Sequence, residues 1–505
     1  MLRHAWVRAP SSPPFFNEIN LILVMNYKKF KLASGSLILL LGLIPIVFLP
    51  ITLFCLGYVF EGFFVILVYY ILDFWFLMLA YYDKRSDIQT KITWTFIQFF
   101  APGVGAYIYF LIGRIPKKFK KVILPKLISL ENEYLNTNIS NSDIEILENG
   151  RNTFPRIFED LKKAKKYINI QYFILTEGIM YDELFEILRI KKAEGVKIRI
   201  LIDYFGSHKL TNSTVRNLRN EGFEIFQFQV IKFWKISGID NWRSHNKIIT
   251  IDGEKCYFGG MNFADEYASL DPKYGEWLDL HYRGKGLIVY ALDMIFSLQW
   301  YINSKEEIFS EFSKYKNIKF KSSNQDQNIE IMYDAPYKRE TTFFSKIKKE
   351  IISAKTNIKI ITPYICFPIS LKDSIRQAIL NGVKIEIITI GKYDKKSVYY
   401  QGTFDVETLT DLGVKIYRVK DTFIHTKLFI FDDEKTIFGT TNLDYRSLFH
   451  HYEINVVVQS SINEQLLKYF DNIKNISKLN TKSRENWKIS RKINYLFVRL
   501  FKGIF

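Results

Sequence analysis

Two stretches of the chain carry residue types suited to reaction at a phosphate, and they carry them at the same spacing. His245-Asn-Lys247 is followed by Ile-Ile-Thr-Ile and Asp252, then after six residues by Gly259-Gly260-Met-Asn262. His425-Thr-Lys427 is followed by Leu-Phe-Ile-Phe and Asp432, then after six residues by Gly439-Thr440-Thr-Asn442. On a strand, residues two apart point to one face, so the His and Lys of each copy are expected to project together. If the copies pack about a pseudo-twofold axis, two His, two Lys and two Asn converge. That set suits a tetrahedral, negatively charged phosphate. An unprotonated imidazole attacks phosphorus to give a phosphohistidine, while the opposite imidazole, protonated, donates to the departing alcohol. Lys247 and Lys427 neutralise the non-bridging oxygens, and Asn262 and Asn442 donate hydrogen bonds to them. The small residues ahead of each Asn leave room for a ligand against the backbone. Each imidazole also needs a carboxylate to fix its tautomer. Asp279 and Glu453, beyond the two Asn residues, are the candidates. Asp252 and Asp432 complete the catalytic motif by spacing, but each follows an apolar strand, and we read them as ties on a turn or on adjacent Lys groups.

The other five histidines, His4, His208, His281, His450 and His451, lack this pattern and read as structural or surface groups. His208, just after a strand end, is also a candidate for the pocket wall. No cluster of His, Asp and Cys has metal-ligand spacing, so Lys is expected to hold the phosphate, with no metal and no cofactor. Three cysteines, Cys55, Cys256 and Cys366, lie far apart, which argues for a reducing compartment and against a disulfide framework.

The elements that must position these groups alternate between strand and helix. Residues 167–174 and 196–203 read as buried strands around a helix at 182–194. Residues 357–365, 371–380 and 383–390 repeat the pattern. Gly-Val-Lys-Ile occurs at 195–198 and again at 382–385, each time ending a helix and opening a strand. A repeat this long is a domain and not a solenoid unit. The fold class is therefore α/β, two fused halves related by pseudo-twofold symmetry.

Ahead of them lie three apolar segments, residues 37–58, 62–82 and 92–112, each near the roughly 20 residues that cross a bilayer as a helix. Their length and lack of a cleavage site exclude a signal peptide. Between residues 37 and 82 the only charges are Glu61 and Asp73. A charge at a helix centre costs about 2.5–3.5 kcal/mol, so Asp73 is expected to face another helix or a polar cavity, or to mark a shallow segment. Ala101-Pro102-Gly103-Val104-Gly105 breaks the third segment. Basic clusters at Lys28, Lys29 and Lys31, at Lys84, Arg85 and Lys91, and from Arg114 to Lys121 are all expected on the cytoplasmic side. Two crossings and one kinked or re-entrant segment satisfy that; three crossings do not.

The expected organisation is an unstructured start (1–36), a membrane region (37–113), a basic linker (114–142), two α/β halves (143–322 and 323–475) and a basic tail (476–505). Met25 is as good a candidate start as Met1. In the tail, Ile489, Ile493, Leu496, Phe497, Leu500, Phe501 and Ile504 fall near one helical face among basic residues. That is the make-up of an interfacial helix on anionic lipid, and equally of a helix packed on the catalytic region. The net charge of +18 calls for an anionic partner, nucleic acid or an anionic membrane surface.

At the doubled motif the sequence resembles the phospholipase D superfamily and, within it, the bacterial cardiolipin synthases. The carriers are Ser-His-Asn-Lys-Ile-Ile-Thr-Ile-Asp-Gly (244–253), Gly-Gly-Met-Asn-Phe-Ala-Asp-Glu-Tyr (259–267), Thr-Pro-Tyr (362–364), Phe-Ile-His-Thr-Lys (423–427) and Asn-Leu-Asp-Tyr-Arg-Ser (442–447). Trp94 and Pro-Gly-Val-Gly-Ala-Tyr (102–107) extend the likeness, which covers roughly residues 37–470. It implies transfer of a phosphatidyl group between two phosphatidylglycerol molecules, giving cardiolipin and glycerol without a metal. It also implies His245 as nucleophile and His425 as acid, an order that the residues themselves leave open. Two departures are Thr440, where Ser is usual, and Trp242-Arg243-Ser244, where the family has an Asn beside the first His. The rivals are a hydrolytic phospholipase D or membrane-bound nuclease with water as acceptor, and a scaffold with a decayed site. The membrane segments and the lack of a nucleic-acid-binding module oppose the nuclease, and two intact motifs oppose the scaffold.

Overall fold

The computed structural model describes residues 44–82, 88–113, 115–231, 237–316, 320, 328–338, 341–394, 396–459, 462–482 and 487–501. The start expected over 1–36 lies outside them, as do Lys84, Arg85, Arg114 and Ile504. The chain divides into two compact units. One runs to Leu79 and takes in Trp94–Leu111; the other comprises Ala80–Thr93, Ile112–Ile231 and Ser237–Phe505.

In the first unit, helix Ile44–Cys55 falls in the segment expected at 37–58. Helix Val59–Tyr82 is the one described helix long and apolar enough to cross a bilayer. The third segment breaks where its Pro-Gly pair requires: helix Ile88–Phe100 stops, and a short helix starts at Val104. That start leaves backbone N–H groups without intrahelical acceptors. Asp73, buried on helix Val59–Tyr82, accepts two of them, from Gly103 and Ala106, both at 2.7 Å. The Asp73 carboxylate thus holds the break in place.

Among the described residues the second unit contains eighteen strands. In the first half they are β1 (Ser142–Glu148), β2 (Tyr167–Tyr172), β3 (Lys197–Asp203), β4 (Glu224–Phe228), β5 (Arg243–Ser244), β6 (Ile248–Ile251), β7 (Lys255–Gly259), β8 (Trp277–Leu278) and β9 (Leu280–Gly286). The second half holds β10 (Asn328–Asp334), β11 (Asn357–Ile361), β12 (Lys384–Ile390), β13 (Lys415–Val419), β14 (Phe423–Ile424), β15 (Leu428–Phe431), β16 (Lys435–Gly439), β17 (His451–Gln459) and β18 (Ser477–Leu479). One sheet has the order β1-β9-β7-β6-β2-β3-β4, the other β10-β17-β16-β15-β11-β12-β13 with β18 added at its edge. The orders correspond strand for strand, so the repeat seen in the sequence is a repeat of topology. In each half the three parallel strands are joined through helices, and the strand that follows the His-Lys motif runs antiparallel beside them. β2 is buried along its whole length although it alternates in polarity, because its Asn169 and Gln171 donate to Asp293 and Gln299 of helix Leu287–Ser304. β2 and β11 end earlier than the 174 and 365 expected, because the chain there leaves the sheet to line the active-site cavity.

Gly195 and Gly382 open the two Gly-Val-Lys-Ile copies with φ of +86° and +84°. A Cβ on either would meet nothing within 4 Å. The left-handed helix stop, and not crowding, is what requires glycine there. The two sheets share one core, in which Phe438 stacks on Tyr282 at 4.1 Å between ring centroids. Helix Leu287–Ser304, apolar on nearly every face, packs against β2, β4, β6, β7, β9 and β10. Its buried Asp293 accepts hydrogen bonds from Tyr167, Asn169 and Thr250.

Two expected boundaries change. The linker at 114–142 is partly helical, at Leu124–Tyr134, and its Phe119 packs edge-on against Trp242. The tail is not a separate module. Residues Ser477–Leu479 pair with β13, and Trp487 and Arg491 both bond to Glu407. Helix Ile489–Phe501 is thereby docked at its first turns, while Ile489 and Ile493 stay exposed.

Candidate active site

Two short parallel pairings bring the motifs together. β5 pairs with the start of β17, and β14 pairs with β8. The N–H of His245 donates to the Tyr452 carbonyl at 3.0 Å, and that of His425 to the Leu278 carbonyl at 2.8 Å. Each histidine therefore lies beside the strand that leads to the other half's acid. The pairs cross. His245 Nδ1 is 3.1 Å from the Glu453 carboxylate, and His425 Nδ1 is 2.8 Å from Asp279. With Nδ1 committed, Nε2 is the atom left for chemistry on each ring. Both rings border a cavity of about 300 Å³, together with Asn262 and Asn442.

The two carboxylates are not equivalent. Glu453 also accepts the hydroxyls of Thr440, at 2.5 Å, and Ser447, at 2.7 Å. Although burial works against its charge, the imidazoles of His245 and His451 hold Glu453 well below the ordinary carboxylate range. Burial pushes His245 down to about 3. Of this pair the charge sits on Glu453, and the imidazole is neutral, as a nucleophile must be. Asp279 has the Leu280 N–H at 2.8 Å, and burial raises its carboxyl above the usual range against the attraction of Lys427. The hydroxyl of Thr440, the departure from the usual Ser, is retained and in use.

Each lysine lies against its own histidine, with the Lys427 ammonium 2.8 Å from His425 Nδ1. Lys247 and Lys427 are buried, and each ammonium donates to the carbonyl of its own motif's histidine. Residues 245–247 and 425–427 are not regular strand, and of each pair the histidine and not the lysine borders the cavity. Asn262 accepts from the Ile174 N–H and donates to the Tyr267 hydroxyl. Asp252 and Asp432 are the motif members that do not reach the site. Asp252 accepts the N–H groups of Lys165, Lys166 and Tyr167, and Asp432 those of Lys355, Thr356 and Asn357. At φ of +56° and +52°, they tie the turns after β6 and β15 to the starts of β2 and β11. The glycines also have a role other than the expected one. A Cβ on Gly260 would lie 2.2 Å from Asp279 Oδ1, and one on Gly439 2.2 Å from the Ile454 carbonyl. They make room for the acid-bearing strands and not for a ligand.

His208 lines the cavity, and so does His451, which the sequence reading set aside. The His451 ring lies 5.3 Å from that of His245, and burial pushes its pKa down to about 3. The signal was an offset: His451 stands two residues before Glu453, as Trp277 stands before Asp279, and Trp277 packs 5.6 Å from His425. His245, His451 and Glu453 place ligand atoms within 4.8 Å of one another. The oxygens of Glu453 already accept two hydroxyls, so the group fits a hydrogen-bonded set better than a cation site.

Residues 157–272 and 347–474 match the family described as "Cardiolipin synthase, PLD-like domain", and residues 71–114 match "Phospholipase_D-nuclease N-terminal". Cardiolipin synthase 2 of Bacillus anthracis is 30% identical over 359 residues, 70% of each chain. The chain belongs to the phospholipase D-like cardiolipin synthase family. The major cardiolipin synthase ClsA of Bacillus subtilis is 28% identical over 466 residues, covering 85% of this chain and 93% of that one. The crystal structure of phosphatidylserine synthase from Haemophilus influenzae has a TM-score of 0.57 at 16% identity, over 75% of this chain and all of that one. That likeness shows the shared fold of the cardiolipin synthase halves.

One pH dependence follows for this family member. Burial lowers Lys427 to about 8. Below that pH the ammonium is charged; above it the charge is lost. A basic limb in kcat/KM, which reports the free enzyme, is expected near pH 8. Lys427→Arg should move the limb upward, and a limb that stays in place would assign it to another group.

Proposed function

We propose that this phosphatidyltransferase moves a phosphatidyl group from one phosphatidylglycerol to a second, giving cardiolipin and glycerol. The crossed His–carboxylate pairs carry the reading, because each half alone lacks the acid its histidine uses. His245 Nε2 attacks phosphorus, the bond from phosphorus to the glycerol oxygen breaks, and His425 gives its proton to that oxygen. The second lipid's hydroxyl then returns a proton to His425 and attacks phosphorus, and the P–N bond breaks to restore His245. Lys247 and Lys427 act on the phosphate from behind the histidines, and Asn262 and Asn442 donate to its oxygens.

Water at about 55 M competes with the second lipid, yet well-oriented groups reach effective molarities of about 10⁵–10⁸ M. Purified protein on phosphatidylglycerol vesicles should therefore give cardiolipin and glycerol in equal amounts, with phosphatidic acid minor. Phosphatidic acid as the main product would make the enzyme a hydrolase. The apolar helices, the basic stretch from Lys117 to Lys121 and the exposed Ile489 and Ile493 support a site held against anionic lipid. We place the catalytic unit on the cytoplasmic face behind two crossings. Labelling of a cysteine introduced near residue 150 from outside intact cells, in a Cys55→Ser background, would reverse that orientation.

A further inference from the structure

The duplication aligns the two halves of the cavity residue by residue, and at one aligned pair the charges are opposite. Four residues after Asn262 stands Glu266; four residues after Asn442 stands Arg446; both line the cavity. Arg446 sits on the short helix Tyr445–Phe449, only partly exposed, and among the described residues no hydrogen bond or ion pair engages its guanidinium. Arg243, its cationic neighbour, is by contrast spent on structure: it donates to the carbonyls of Gln229 and Asp240. Burial pulls Arg446 below its ordinary pKa, outweighing the attraction of Asp444 and Asp203. A half-buried cation without a partner is costly, and a cavity that keeps one has an anion to bind. Lys209 adds a second positive charge to the same cavity.

The reacting phosphate already has the two histidines, two lysines and two asparagines. We propose that Arg446 forms a second anion subsite, which holds the phosphate of the acceptor lipid while its hydroxyl attacks the phosphohistidine. This rests on the reading above and deepens it. The planar guanidinium can grip two phosphate oxygens at once. Water and glycerol carry no phosphate, so the subsite favours an anionic acceptor over both. Step one involves a single phosphate, whereas step two involves two. Arg446 therefore acts on the fate of the intermediate.

The test is product partitioning on phosphatidylglycerol vesicles, with labelled glycerol added as an uncharged acceptor in a second arm. The ratio of cardiolipin to phosphatidic acid counts only what opens the intermediate, so a smaller fraction of folded enzyme cancels out. Arg446→Gln should lower that ratio roughly tenfold to a hundredfold, the worth of a charge-assisted hydrogen bond. The ratio of labelled phosphatidylglycerol to phosphatidic acid should change less than twofold, and Arg446→Lys should recover part of the first ratio. If both ratios fall together, Arg446 merely shapes the site and the subsite is rejected. If neither falls while the unaltered enzyme makes cardiolipin, the subsite alone is rejected. If the unaltered enzyme makes no cardiolipin, the subsite and the synthase reading fail together.

Discussion

Replacing His245 with alanine is expected to lower phosphatidyl transfer by on the order of 10⁴-fold or more and to remove the covalent intermediate altogether. The reason is geometric. His245 is the imidazole that burial keeps neutral, with its Nδ1 held by an ionised Glu453 and its ring on the cavity. The neighbouring His451 shares that carboxylate, its Nδ1 3.4 Å from Glu453. His425→Ala should stop turnover on lipid just as completely, but for a different reason: it removes the proton for the departing glycerol. A p-nitrophenyl phosphodiester, whose leaving group needs no proton, separates the two. With that substrate His425→Ala should still release one equivalent of nitrophenolate per site, and His245→Ala none.

Glu453→Gln should be the next largest effect, on the order of 10²–10⁴-fold in kcat. Its carboxylate receives three donors: the imidazole and the hydroxyls of Thr440 and Ser447. An amide of the same size offers one oxygen to those three and turns an NH₂ toward the rest. The His245 tautomer is no longer fixed, and a buried donor loses its acceptor. Asp279→Asn disturbs the other pair, and hence the acid. On the p-nitrophenyl substrate, Glu453→Gln should remain slow while Asp279→Asn approaches the unaltered enzyme. The reverse pattern would mean that the carboxylates serve the histidines in the uncrossed sense.

The doubled motif made the reacting groups legible because spacing survives duplication, and the same regularity gave the α/β halves before any strand was placed. Asp279 and Glu453 could be named because each is an acid lying beyond its half's Asn, Asn262 or Asn442. Which acid serves which histidine could not, since that depends on the seams where β5 meets β17 and β14 meets β8. That the lysines stand behind the cavity wall was hidden for a related reason. Period-two reasoning assumes a regular strand, and the chain leaves the strand at both motifs to reach across to the other half. His451 was passed over because a lone histidine carries no pattern of its own; its meaning came from the matching Trp277. Asp73 was correctly set against another element, but its partners are backbone groups freed by a Pro-Gly break, which no side-chain pattern announces.

The central claim is that one half's histidine carries the phosphatidyl group while held by the other half's acid. Acid-lability and site mapping of the adduct, from a reaction with labelled phosphatidylglycerol quenched within the first turnover, tests it most directly. The label should reside on the peptide containing His245, in an acid-labile phosphoramidate bond. It should be lost in His245→Ala and form more slowly in Glu453→Gln. Label on His425, or transfer that proceeds with no adduct on either histidine, would contradict the account.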